Sequence, residues 1–210
     1  MTFRTTLITT LLLALLATIL AACGGAATPT APAEPAAPTA TPDPLAGWVA
    51  FTAPDGSFSV RLPQAPETIT QTVTTEAGDI AVAMYVTEDA DGAMIVSHNG
   101  FPPAVVEVIA SGDEATIQSI LDGGRDGAVA NVNGVLQDEK QITVSGLPGR
   151  EFSFTIDASA SPSGSAITGI ARVILGPDRL YQMISLGTAE KMDLALVQAF
   201  FDSFQLAAGQ

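Results

Sequence analysis

The chain has 210 residues, 22 acidic and eight basic, for a formal charge of −14, with a single cysteine and a single histidine. That balance excludes a nucleic-acid partner, because phosphates need a basic footprint, and it works against lying flat on an anionic bilayer. One cysteine excludes an internal disulfide, and together with one histidine it excludes a transition-metal site of the Cys/His kind.

Residues 1–22 read as a leader. Arg4 supplies the one positive charge, and an apolar run follows from Leu7 to Leu20. The run suits the core of a signal peptide and falls short of the ~20 residues that a membrane span needs. It ends in Leu20-Ala21-Ala22-Cys23-Gly24, which resembles the lipobox of bacterial lipoproteins: an aliphatic residue, two small residues and the cysteine that is acylated. The resemblance implies cleavage before Cys23 and a lipid on its thiol. The location it implies is extracytoplasmic, on the cell membrane or, in a cell with two membranes, on the outer one. Acyl chains contribute about 0.8 kcal/mol per buried methylene, so two or more make a stable anchor. Loss of the leader removes Arg4 and no acid, which takes the formal charge from −14 to −15.

Residues 23–46 form a different material, rich in Ala, Thr and Pro, with Pro29, Pro32, Pro35, Pro38, Pro42 and Pro44 closely spaced. Such a segment cannot bury a core and favours extended polyproline II. At ~3.1 Å per residue it reaches roughly 65 Å as a stalk. Residues 47–210 remain for one globular domain of ordinary size.

In that domain Phe58, Val60 and Leu62 alternate with polar residues after Pro54-Asp55-Gly56, which predicts a strand. The Thr-rich stretch 68–75 predicts a half-exposed strand, and Ile80, Val82, Met84 and Val86 mark one face of the next. Asp89-Ala90-Asp91-Gly92 is a turn leading into a strand at 93–97. Ser111-Gly112-Asp113-Glu114 has the form of a capping box with Ser111 as N-cap. The helix that follows carries Ile117, Ile120, Leu121, Gly124, Ala128 and Val129 on one face, and its three glycines either permit close packing or end it early. Strands are predicted at 135–144 and 152–156, with Gly146 to Gly149 as the turn between them. A hairpin pairs 167–175 with 180–186, and a closing helix presents Met192, Leu196, Val197, Phe200, Phe201 and Phe204. Consecutive strands with helices placed apart predict an α+β fold, an antiparallel sheet packed with helices.

Asp55-Gly56-Ser57-Phe58-Ser59-Val60-Arg61-Leu62-Pro63 resembles the opening of a PsbP-like α/β/α sandwich. Gly146-Leu147-Pro148-Gly149-Arg150-Glu151, Arg179-Leu180-Tyr181 and Phe200-Phe201-Asp202-Ser203-Phe204 resemble the same group, and uncharacterised bacterial lipoproteins of that build more closely. The resemblance implies the fold. In photosynthetic members that fold assists assembly and ion retention at a membrane complex, and no residue here matches that role.

His98, at a strand end, reads as a loop histidine rather than a general base, since no nucleophile elbow accompanies it. Glu88, Asp89 and Asp91 are the calcium candidates, although the loop pattern lacks its far acid and a solvated turn accounts for them. Gly123-Gly124-Arg125-Asp126-Gly127 lacks the Lys-Ser/Thr of a phosphate loop. Trp48 and Phe51 pack the first strand on the core in preference to forming an exposed grip. The sequence calls for no cofactor. It predicts a non-enzymatic module on the membrane through Cys23 that binds an envelope protein or helps to assemble a complex, with a small-ligand or calcium-binding domain as one alternative and an enzyme as the last.

Overall fold

A computed structural model describes residues 42–75, 78–161 and 163–207. The leader, Cys23 and most of the stalk lie outside the described residues.

Among the described residues, ten strands form two sheets. β1 (Val49–Thr52) and β2 (Phe58–Leu62) make a hairpin, and β10 (Gln205–Leu206) pairs with β2 on its other side. The large sheet holds β3 (Glu67–Thr75), β4 (Gly78–Glu88), β5 (Gly92–Gly100), β6 (Gly134–Val144), β7 (Leu147–Ile156), β8 (Ile167–Leu175) and β9 (Arg179–Gly187). Its order is β3-β4-β5-β9-β8-β7-β6, with every neighbouring pair antiparallel. The helices among the described residues are α1 (Pro103–Ala110), α2 (Glu114–Ala130) and α3 (Leu194–Asp202). The fold is α+β.

Period-two alternation sends the two faces of the large sheet into two separate cores. One face meets the small sheet and α3, burying Phe58, Val60, Tyr85, Tyr181, Met183 and Phe200 together. The other receives α2, whose Leu121, Ala128 and Val129 pack on Phe152, Phe154, Val173 and Leu180. Val173 and Ile174 are adjacent in β8 and belong to different cores, as a strand requires. Full burial of one such large side chain contributes about 1.5–3 kcal/mol.

Four local expectations are corrected. Ser111 is not an N-cap. It terminates α1, its hydroxyl donating to Val108 O at 2.6 Å, and Asp113 caps α2 by accepting from Thr116 N at 2.9 Å. α1 is a helix that the sequence analysis does not predict. The β6–β7 turn is Ser145-Gly146, both at positive φ (51° and 85°), with Leu147 already paired to Val144. A two-residue turn of that handedness fits the twist of the hairpin, so Leu147 to Gly149 are free to begin the strand. In the closing helix, Met192 precedes and Phe204 follows the helical turns, and Asp193 is the cap, accepting from Ala195 N and Leu196 N.

Contacts also reach back before Gly47. Leu45 is buried, Asp43 accepts from Arg61 Nη1 at 2.7 Å, and Arg61 donates to Leu45 O as well. Trp48 lies 6.4 Å from the Phe200 ring and Phe51 4.7 Å from that of Tyr85, so both pack against the first core.

Candidate functional site

Three places combine chemistry with exposure. The first is a cleft of about 360 Å³ between the β4–β5 turn and the start of α3. Met94, Leu186, Met192, Leu196 and Val197 make it apolar within. Ser185 is buried there and its hydroxyl approaches Met192 Sδ at 3.8 Å. The calcium candidates stand at its mouth, and the carboxylates of the two aspartates have other work. Asp89 Oδ1 accepts from Asp91 N at 2.7 Å and Gly92 N at 3.0 Å, which shapes the turn. Asp91 pairs with Lys191 Nζ at 2.7 Å, and the same ammonium donates to Ala90 O. Glu88 gives its backbone carbonyl to Gln64. A lysine thus supplies the cation for the turn, and no group of three or more His, Cys, Asp or Glu able to hold a metal occurs among the described residues.

The second place is around His98. Its ring is half-buried, stacked 6.1 Å from Tyr85 and edge-on to Phe58 at 5.8 Å. Burial pushes its pKa below the ordinary 6.5, Asp55 opposing and Arg179 assisting. Asp55 is held at about 2: burial works to raise it, and bonds from the Ser57 hydroxyl, Ser57 N–H and Arg179 outweigh that. Those bonds measure 2.7, 3.0 and 2.7 Å. The Ser57 hydroxyl therefore donates to a carboxylate, and it is 1% exposed. A nucleophile would have to be reachable and bonded to the imidazole. This group ties the β1–β2 turn to the β8–β9 turn, where Arg179 also pairs with Asp178.

The third place was not singled out by the sequence reading. Register puts Ile95 beside Ile184 and Val86, Met84 beside Ile69, and Ile80 beside Val73, so these side chains share the α2 face of the sheet. The helix rests on β6, β7 and β8. Toward β3 the face is left partly bare: Ile80, Val82, Met84, Val86 and Ile95 are half-buried and join neither core, and Ile69 and Val73 are 40% and 43% exposed. The alternation of 80–86 was the available signal; sequence alone could not say that the helix would cover the other half.

The Arg125 motif on α2 serves packing and charge. Arg125 bonds Asp126, Asp122 and Glu139, and buried Arg150 joins the same Asp122 and Glu139.

No family model and no curated protein matches the chain. Among solved structures it is similar to cyanobacterial PsbP from Synechocystis sp. PCC 6803, with a TM-score of 0.46 and 9% identity over 84% of this chain and 99% of that chain. It is also similar to PA94, a protein of unknown function from Pseudomonas aeruginosa, with a TM-score of 0.33 and 9% identity over 69% of this chain and 85% of that one. At this identity no residue role passes from either neighbour to this chain.

Proposed function

We propose that the chain is a lipid-anchored extracytoplasmic module that binds another protein of the cell envelope and performs no reaction of its own. The observation that carries the reading is the partly bare apolar face over β3, β4 and β5 in a chain of charge −14. Contiguous apolar surface in a protein of strong net negative charge marks a place where a partner sits. The partner's chemistry follows: an apolar ridge, with basic residues around it that meet the acidic surface. An anchor at Cys23 and a stalk of residues 23–46 would hold that face near its neighbour and raise the effective concentration.

Crosslinking in intact cells tests this, with the wild-type chain beside Met84→Lys and Cys23→Ala. One reproducible envelope protein recovered with the wild type and lost with both variants supports the reading. Equal recovery with Met84→Lys removes the face from it, and equal recovery with Cys23→Ala removes the anchor.

The cleft at Lys191 favours a second reading, an apolar small ligand. Its lining of two methionines, two leucines and a valine suits such a guest. Leu196→Trp, which would fill the cleft, should then abolish any thermal stabilisation by the ligand.

A further inference from the structure

The two edges of the large sheet are built differently. β6 carries a bulge between Leu136 and Asp138 and three successive charges, Asp138, Glu139 and Lys140. Both devices discourage edge-to-edge pairing. β3, the opposite edge among the described residues, has neither. Its register with β4 runs unbroken from Glu67–Val86 to Thr75–Gly78, and no charge or proline occurs from Thr68 to Thr75.

The sequence of that edge is a near-palindrome. Thr68-Ile69-Thr70-Gln71-Thr72-Val73-Thr74 reads alike in both directions about Gln71, with Ile and Val exchanged. Antiparallel pairing of a strand with its own copy reads one strand backwards, so a palindrome is self-complementary. We propose that a second copy of this chain pairs along β3, about a two-fold axis through Gln71, to continue the sheet across both molecules.

Backbone parity agrees with this register. Asp89 N–H donates to Gly92 O, so odd-numbered residues of β4 turn their backbone groups toward β5 and even-numbered ones, Gly78 among them, toward β3, which makes Thr75 and Gly78 a hydrogen-bonded pair. Odd-numbered residues of β3 then turn N–H and C=O toward β4, and Thr68, Thr70, Thr72 and Thr74 turn theirs to the open side. Centred on Gln71, the open groups meet one another: Thr70 faces Thr72 of the second copy, and Thr68 faces its Thr74. Ile69 then lies opposite Val73 of the second copy at a non-hydrogen-bonded position, where Cα atoms are about 4.5 Å apart and side chains are closest. Sliding the register by one step of the ladder sets Val73 against Glu67 or Gln71, and sliding by two leaves a single apolar pair, Ile69 or Val73 against itself, so two apolar pairs form at one register only. Each copy satisfies the other in the same way, as a two-fold interface demands.

Two acidic chains repel, and the uncharged edge confines that repulsion to long range, where salt screens it. A nine-residue edge buries less than the roughly 1,200 Å² of a standard stable interface, so the pairing is concentration-dependent. The inference is separable from the foreign partner proposed above even though both use Ile69 and Val73: Met84→Lys on β4 probes the face, and crosslinking at Gln71 probes the β3 edge.

Sedimentation of the full chain in detergent, over a concentration series reaching the millimolar range, is the first test. The mass should rise toward twice the monomer, more readily at high salt, and a chain carrying Ile69→Lys and Val73→Lys should stay monomeric. Disulfide trapping then reads the register in a Cys23→Ser background. Gln71→Cys should crosslink to itself far faster than Thr143→Cys on the β6 edge, and Ile69→Cys mixed with Val73→Cys should crosslink where Val73→Cys alone does not. A wild-type chain that stays monomeric throughout overturns the proposal and leaves the edge for a foreign strand. Dimers in which Gln71→Cys crosslinks no faster than Thr143→Cys overturn it as well.

Discussion

Asp55 holds two turns together from opposite ends of the chain, and its charge makes that dependent on pH. Its folded pKa of about 2 lies below the ordinary 3.8. The carboxylate therefore contributes stability that is complete above the ordinary value and is lost as pH falls through about 2. The pair with Arg179 is partly exposed and screened by solvent, so the bonds from Ser57 carry most of the effect. Asp55→Asn should cost about 1–2 kcal/mol at pH 7 in urea unfolding, and the difference should vanish near pH 2. Equal stability of the two proteins at pH 7 would show that the carboxylate is dispensable. His98 has the same sign for a different reason. Burial among Phe58, Tyr85 and Tyr181 lowers its pKa below 6.5. The unfolded chain then binds the proton first, so stability falls as pH drops below 6.5 toward the folded value. His98→Phe should flatten that part of the pH–stability curve and move the Asp55 region slightly upward, since the imidazolium charge helps to hold Asp55 down.

At the scale of elements, α2 separates two meanings of glycine. A Cβ on Gly124 would stand 2.9 Å from Leu180 Cδ2 and 3.0 Å from Val173 Cγ1, and one on Gly123 or Gly127 would meet nothing within 4 Å. Gly124→Ala should therefore destabilise the protein by about 1–3 kcal/mol, as overpacking does. Gly123→Ala and Gly127→Ala should each stabilise it by about 0.5–1 kcal/mol through helix propensity. Thermal melts of the three variants decide this, and a uniform response would mean that α2 does not rest on β8 and β9 as closely as it does here. The sequence reading left both roles open because periodicity places Gly124 on the core face without saying how near the sheet comes. Strands were the most legible part: β2, β8 and β9 follow from alternation between turn residues. α1 was hidden because Val105, Val106, Val108 and Ile109 are β-branched, and the signal for it was Pro103 at the first helical turn. Missing α1 moved the cap, since Ser111 ends one helix two residues before Asp113 starts the next. The candidate site was less legible than the fold. Glu88, Asp89 and Asp91 lie together in sequence, but the lysine that answers them comes from residue 191.

The domain is built on one large sheet with a core on either face, and the question at that scale is whether the two cores unfold as one. They share backbone: Val173 and Ile174 of β8, and Leu180 and Tyr181 of β9, send neighbouring side chains to opposite sides. Loss of either core leaves the other with a sheet face half exposed, which should make unfolding a single transition. Two probes watch the cores separately. Trp48, the one tryptophan, packs toward Phe200 in the first core, and α2 on the second supplies 17 of the 34 residues in the described helices, hence about half of their circular dichroism. Leu121→Ala empties a buried position beneath α2 and should cost about 2–5 kcal/mol. For a domain of this size each kcal/mol lowers Tm by about 2–4 °C, so the melt should move by roughly 4–20 °C. The decisive feature is that Trp48 fluorescence, on the far side of the sheet from the substitution, should move by the same amount as the helical signal. If the helical signal melts early and Trp48 keeps its wild-type midpoint, the sheet does not couple its faces, and α2 is a separable layer on a self-sufficient first core.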